Sequence, residues 1–131
     1  MTGVQTCALP ILIERPAAGR LLAAMRAHPD LVAGTDRLDT ALMRARPDLV
    51  AKGGAEGVHV AMVPDRGLAV AVKAEDGAGR AADVALLAAL ERLVGGVVDH
   101  PDLRPHAEPA IHNVAGETVG AIRAAAGWPS F

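Results

Sequence analysis

Two short apolar runs, at residues 57–63 and 67–73, restrict the fold of this chain more than any other feature of its sequence. Only Pro64, Asp65 and Arg66 separate them, and such a link between two apolar runs predicts an antiparallel β-hairpin. In the second run, larger side chains at positions 68, 70 and 72 alternate with alanines at 69 and 71. Because successive strand residues point to opposite faces of a sheet, we expect both faces to be covered, with a helix lying close over the alanines.

Helical spacing and turn residues divide the rest of the chain. Apolar residues recur at helical spacing in residues 16–28 and, most clearly, in residues 80–94, where Gly95 is a suitable end. Between them we expect a helix that is capped by Thr35 and closed by Pro47. The remaining segments are predicted as a loop at 31–34, a glycine-dense turn at 52–57, a surface loop at 99–109, and a second hairpin formed by 110–113 and 118–123.

This order of elements predicts an α+β fold in which an antiparallel sheet is backed by helices. Only Trp128 and Phe131 are aromatic among the 131 residues, so the core must be built from Leu, Val, Ile, Met and many Ala side chains. Small side chains bury little apolar area, and each Å² contributes only about 25 cal/mol. We therefore expect the chain to be marginally stable on its own.

Charge and hydropathy argue against two classes of partner. The formal net charge is −2 at pH 7, which is not the charge of a protein that binds nucleic acid or an anionic membrane surface. No apolar run approaches the ~20 residues that a membrane-spanning helix needs. We expect no nucleic-acid partner, no membrane partner and a cytoplasmic location. The single cysteine, Cys7, excludes a disulfide framework and a cysteine-based zinc site within the chain.

The first residues require a separate interpretation. Residues 2–11 resemble the translation of a common sequencing-adapter oligonucleotide. We therefore predict that residues 1–11 are a non-native segment and that residues 12–131 are the C-terminal part of a longer domain. A secretory signal is disfavoured because no Lys or Arg precedes the apolar stretch, which Pro10 interrupts.

Lys52, Gly53 and Gly54 form the most informative stretch for chemistry. Paired glycines allow a ligand or another chain to approach the backbone, and Lys52 would place a cation at that opening. The spacing also fits a turn with a solvated lysine, whereas a P-loop is excluded because its lysine follows its glycines. Asp39, near the start of a predicted helix, is favoured there by the helix dipole without any functional role.

Other catalytic and metal-binding motifs are absent from the sequence. The five histidines lack the spacing of a metal site, and His59, within a predicted strand, is expected to be hydrogen-bonded locally. There is no G-x-S-x-G elbow, no S-x-x-K pair and no Cys–His couple. Taken by themselves, the residues leave a small binding or interaction module as open as an enzyme.

A series of motifs, in order, resembles the bacterial L-asparaginase II family, of the thermolabile rhizobial type. The motifs are M-R-A-H-P at 25–29, L-V-A-G at 31–34, R-L-D-T-A-L-M-R at 37–44, A-K-G-G-A-E-G-V at 51–58, G-L-A-V-A-V-K at 67–73, E-D-G at 75–77, R-A at 80–81, N-V-A-G at 113–116 and V-G-A-I-R at 119–123. The resemblance covers nearly everything after residue 11 and corresponds to the C-terminal part of a full-length member.

The resemblance implies part of a fold similar to that of the serine β-lactamases and serine-dependent glutaminases. It also implies hydrolysis of L-asparagine to L-aspartate and ammonia by acyl transfer, in which the serine of an S-x-x-K pair, activated by the lysine, attacks the amide. That pair, and the cysteines that bind zinc in some members, would lie upstream of this chain. We therefore expect no metal site within the chain, no activity from the chain alone, and a homodimer for the full-length protein.

For individual residues, the resemblance assigns a catalytic role to Lys52, because Lys52-Gly53-Gly54 is similar to the Lys-Ser/Thr-Gly strand motif of that fold. The lysine cation suits a substrate carboxylate or a developing oxyanion. Gly53 stands where related enzymes often carry a hydroxyl, and Asp39 stands where some members have a cysteine. The predicted substrate-binding residues are Asp39, Thr40, Gly53 and Gly54. A glutaminase or another amidase of the same fold, and a stand-alone binding module, are the alternatives.

Overall fold

The computed structural model describes residues 3–4 and 15–128, and these residues form helices and short antiparallel strands. The helices are α1 (Pro16–Ala27), α2 (Pro29–Ala33), α3 (Leu38–Ala45), α4 (Gly79–Val94) and α5 (Arg104–Ala107). The strands are β1 (Gly3–Val4), β2 (Val50–Gly53), β3 (Val58–Val63), β4 (Leu68–Lys73), β5 (Ala110–His112) and β6 (Thr118–Ala121). A 3₁₀ turn at Pro64–Arg66 joins β3 to β4.

The strands form two antiparallel sheets. The larger sheet has the order β1-β4-β3-β2, and the predicted hairpin of β3 and β4 lies at its centre. Its register pairs His59 of β3 with Gly53 of β2 on one side and with Val72 of β4 on the other. The smaller sheet is the predicted hairpin of β5 and β6, whose strand residues are exposed except for the half-buried Ala121.

The core lies between one face of the larger sheet and helices α3 and α4. Helix α3 packs against β2, and α4 packs against β3 and β4. The buried apolar side chains of the described residues are Leu, Val, Met and Ala, as expected from the scarcity of aromatic residues. The predicted α+β fold, with an antiparallel sheet backed by helices, is therefore confirmed.

Three segments that were predicted as loop or turn contain regular structure. The predicted loop at 31–34 lies largely within α2, and the predicted loop at 99–109 contains α5. The predicted turn at 52–57 begins with Lys52 and Gly53, which are the last residues of β2. Each of these elements has five residues or fewer, which is too short to show a hydrophobic period. Buried anchors next to them, such as Leu103 before α5, hold them instead.

Two further expectations were wrong in detail. Thr35 does not cap α3, because that helix begins at Leu38 with Arg37 as its N-cap and without a side-chain cap hydrogen bond. None of the described helices covers the alanine face of β4, since Val70 and Val72 are buried in the core with the leucines of α4 while Ala71 is exposed. The helices pack on the face with the larger side chains because that face has more apolar area to bury.

Among the described residues, no helix is both long and apolar enough to cross a bilayer. The segment predicted to be non-native, residues 1–11, lies outside the described residues except for Gly3 and Val4, so its origin stays a prediction.

Candidate active site

A cavity of about 390 Å³ opens where the end of β2 meets the first turns of α3 and α4. Its polar lining carries both signs of charge, from Asp36, Arg37, Asp39, Lys52, His59, Arg80 and Asp83. Four of the five predicted site residues line it, namely Lys52, Gly53, Gly54 and Asp39. The fold therefore brings the Lys-Gly-Gly stretch and the acidic start of α3 to one place.

Three of the lining residues form a chain of hydrogen bonds through the floor of the cavity. The ring Nε2 of His59 is bonded to Oδ1 of Asp39, and Nδ1 is 2.9 Å from Oδ1 of Asp83. The side chains of His59 and Asp39 are almost fully buried, whereas that of Asp83 is 36% exposed. Because both ring nitrogens face a carboxylate, both must carry a proton, and His59 is an imidazolium between two anions.

Each member of this chain is placed by a different element. His59 is in phase with the buried Ala61 and Val63 on β3, so its side chain enters the core face of the sheet. Asp39 is the second residue of α3. Asp83 lies one turn before Leu86 and Leu87 on the face of α4 that packs on the sheet.

The pKa values of the two buried members follow from these contacts. Burial lowers the pKa of His59, but the hydrogen bonds and charges of Asp39 and Asp83 outweigh burial and raise the pKa to about 9. Burial raises the pKa of Asp39, yet the bond from His59, the N–H of Gly53 and the nearby Lys52 cation together bring it below its usual value. Near neutral pH a His59 cation therefore lies between two carboxylates.

The Lys-Gly-Gly stretch is tied to this chain through its backbone. The N–H of Gly53 donates to Oδ2 of Asp39 at 2.8 Å, which fastens the end of β2 to α3. Lys52 is exposed at that end, where its Nζ donates to the carbonyl of Gly53. A Cβ atom on Gly53 would lie 3.6 Å from Asp39, and one on Gly54 would lie 3.5 Å from Val58, both ordinary contacts. Packing therefore does not require either glycine.

Thr40 lies behind the cavity rather than on it. Its buried hydroxyl donates to the carbonyl of Gly34 at 2.7 Å, and the carbonyl of Pro29 is 3.2 Å away. These contacts hold the start of α3 against the α2 segment, and Thr40 is not among the cavity-lining residues. A contact between Thr40 and substrate stays a prediction.

Sequence reasoning missed Asp83 and misjudged His59. The expectation of local hydrogen bonds for His59 was wrong, because its two partners are 20 and 24 residues away in the chain. Two signals were present in the sequence: a histidine in phase with the buried residues of a strand, and an aspartate in phase with the leucine stripe of a helix. Neither signal says which strand meets which helix.

The described lining of the cavity offers no hydroxyl or thiol group as a nucleophile. Its lining includes no Ser, Thr, Cys or Tyr, and the only serine and the only cysteine, Ser130 and Cys7, lie outside the described residues. Within the described part of the chain, no three His, Cys, Asp or Glu residues are arranged to hold a metal ion. The cysteine ligands that the resemblance implies for zinc have no counterpart among the described residues, so no chemical step is assigned to zinc.

The fold is that of an α+β domain, and its cavity is lined by charged side chains of both signs. A family model for L-asparaginase II matches residues 4–124, and the chain therefore belongs to the L-asparaginase II family. Membership of this family indicates asparaginase-type function, that is, a hydrolase whose substrate is an amino-acid amide. A comparison with curated proteins gives no match.

Proposed function

We propose that the protein containing this chain hydrolyses L-asparagine to L-aspartate and ammonia, and that the described residues form one wall of its active site. The observation that carries this proposal is the cavity itself, whose described lining has Lys52 and a buried ion chain but no hydroxyl or thiol nucleophile. Family membership supplies the reaction class. The missing hydroxyl is then supplied by the S-x-x-K pair that the family resemblance places upstream.

In the proposed reaction the serine oxygen attacks the side-chain carbonyl carbon of asparagine. The carbon–nitrogen bond breaks and the nitrogen leaves as ammonia after receiving a proton, which gives an acyl-enzyme ester. Water then cleaves the ester, so that aspartate leaves and the serine hydroxyl is restored. Lys52 contributes a fixed positive charge, which favours either the carboxylate of the substrate or the negative charge that develops on the carbonyl oxygen.

His59 is not the general base of this reaction. A general base needs a free lone pair within reach of the proton that it accepts. Both ring nitrogens of His59 donate their protons to carboxylates, so the imidazolium has no lone pair to offer. His59 is therefore not the residue that activates the serine, which is consistent with the lysine of the S-x-x-K pair in that role.

Ammonia release by the longer protein, including the upstream reading frame, tests this proposal. Lys52→Ala should lower kcat/KM for L-asparagine at least about 100-fold, the usual effect of removing one charge that stabilises the transition state. Lys73→Ala is the matched control, because Lys73 also ends a strand, is exposed and donates to the next carbonyl, yet lies away from the cavity. Absence of an S-x-x-K serine upstream, or equal effects of the two substitutions, would refute the proposal.

A stand-alone binding module is the second candidate, and the lack of a hydroxyl or thiol group in the described lining of the cavity favours it. A module of that kind would bind an amino acid without releasing ammonia, even within the longer protein. The 131-residue chain alone is expected to release no ammonia under either proposal. Assaying L-glutamine beside L-asparagine separates an asparaginase from a glutaminase of the same fold.

A further inference from the structure

One carboxylate oxygen of the buried ion chain is left open to the cavity. Asp83 uses Oδ1 for His59, and within the described residues its Oδ2 accepts no hydrogen bond. Asp83 is also the only one of the three charged groups whose side chain is substantially exposed, at 36% against 5% for His59. Two carboxylates share one imidazolium in this ion chain. The excess negative charge therefore lies on Asp83, the carboxylate that faces the cavity.

A cation lies one helical turn before this oxygen. Arg80 and Asp83 are three residues apart on α4, a spacing that places side chains next to each other on a helix surface. Both line the cavity, and they do not form an ion pair with each other. The ion-pair partner of Arg80 is Asp76, which is 3.9 Å away in a pair that is exposed on both sides. The first turn of α4 adds the positive end of its helix dipole beside Arg80.

We propose that Asp83 binds the α-ammonium group, and Arg80 the α-carboxylate, of the amino-acid amide. This assignment rests on the proposed function and specifies how the substrate is recognised. The head group of an amino acid carries one positive and one negative group on the same carbon atom, which matches two adjacent side chains of opposite sign. With the carboxylate held at α4, the charge of Lys52 is left for the developing oxyanion.

A second pair of opposite charges, adjacent in sequence at the cavity, is less suited to this role. Asp36 and Arg37 are neighbours in the turn before α3, both are exposed, and neither carboxylate nor guanidinium is held by a hydrogen bond among the described residues. Asp83, in contrast, is oriented by its bond to a buried imidazolium. A group that is already oriented loses less conformational entropy when it binds a ligand, so Asp83 is the better ammonium ligand.

Ligand analogues provide a test that does not depend on any substitution. Binding to the 131-residue chain is measured by calorimetry and by amide chemical shifts, with L-aspartate and L-asparagine as probes. Succinate and succinamic acid are the same molecules without the α-amino group. We expect each to bind at least tenfold more weakly than its amino-acid counterpart, with the largest shifts of the amino acids at residues 79–83. Equal affinity with and without the α-amino group, or no binding of any probe, would overturn the proposal.

Substitutions then test which group of the ligand each of the two side chains binds. Asp83→Asn keeps an oxygen for the His59 proton but removes the charge, and it should weaken L-aspartate at least tenfold while leaving succinate unchanged. Arg80→Gln should weaken both ligands. Arg92→Gln, on the exposed side of the last turn of α4, is the control and should change neither. Equal weakening of both ligands by Asp83→Asn would mean that Asp83 only supports the fold.

The test of the head-group assignment can fail or succeed independently of the test of the proposed function. If the longer protein hydrolyses L-asparagine but accepts succinamic acid equally well, the head-group assignment fails and the asparaginase proposal stands. If the chain binds L-aspartate in preference to succinate but the longer protein releases no ammonia, the assignment stands and the hydrolase proposal fails.

Discussion

Raising the pH from 6 to 10 should remove about 3 kcal/mol from the free energy of unfolding, because His59 is buried between two carboxylates. The pKa of His59 is about 9 in the folded chain and near 6.5 when the residue is free in solution. The groups that face it are Asp39 from α3 and Asp83 from α4, and the Lys52 cation lies near Asp39. Each tenfold difference in proton affinity corresponds to about 1.4 kcal/mol.

The direction of the pH dependence follows from the pKa of His59, which is higher in the folded chain than in the unfolded one. A group whose pKa is higher in the folded state stabilises the fold fully below the unfolded pKa, and that contribution is lost as the pH rises through the folded pKa. The loss should therefore run between pH 6.5 and about 9, at about 1.4 kcal/mol for each pH unit. Asp39 acts in the opposite direction because its pKa is below the usual 3.8. Its contribution to the stability of the fold is therefore lost only as the pH falls below 3.8.

Urea unfolding at a series of pH values measures this loss, with Trp128, which packs against the core, as the fluorescent probe. His112→Gln is the control, because His112 is exposed on β5 and its replacement should leave the pH dependence intact. The ring resonance of His59 in an NMR titration gives the second readout, with an expected midpoint near 9. A midpoint near 6.5, or stability that is constant between pH 6.5 and 9, would refute the imidazolium between two anions.

Three substitutions test the packing around the site by urea unfolding. Asp39→Asn should cost about 3 kcal/mol because it leaves a buried imidazolium with one anion fewer, whereas Asp30→Asn, in an exposed pair, should cost less than about 1 kcal/mol; similar losses would contradict the assigned burial. Gly57→Ala should cost about 2–3 kcal/mol, since its φ is +67° and a Cβ would lie 2.7 Å from the nearest carbon. Its control is Gly96→Ala, because Gly96 has a φ of +66° but open space around it. An equal loss of stability in both variants would mean that backbone strain, and not the close contact of the Cβ atom, causes the loss. Leu87→Ala should cost about 2–5 kcal/mol because its side chain is fully buried, and a loss below 1 kcal/mol would place it outside the core.

The parts of the fold that the sequence predicts are those with a long hydrophobic period. The hairpin at 57–73 and the helix at 80–94 each show enough consecutive positions for strand or helix spacing to be distinct, and both are confirmed. Helices α2 and α5 have five and four residues and depend on tertiary contacts, which local patterns do not report. The prediction that a helix lies over the alanine face of β4 failed for a related reason, because alternation identifies two faces without saying which of them meets a helix.

The site also has a part that the sequence predicts and a part that it does not. Lys52 and Asp39 were identified through resemblance, and the structure brings both to one cavity. The bonds that connect Asp39 to His59 and His59 to Asp83 span three elements, so they depend on how α3 and α4 are placed on the sheet. Sequence spacing reports neighbours along one element and carries no information on such meetings.

The cost of burying charge indicates what this ion chain contributes. Removing charged groups from water carries a desolvation penalty that apolar side chains of similar volume would not incur, so burial of Asp39 and His59 is poorly explained by stability alone. What these residues do provide is position. Asp39 uses one oxygen for His59 and the other for the N–H of Gly53, so the end of β2 that carries Lys52 is fixed relative to α3. His59 is fixed in turn by Asp83 on α4. The same bonds that hold the three elements together therefore set the distance between the Lys52 end of the cavity and the Arg80–Asp83 end, which is the length that the proposed substrate would have to match.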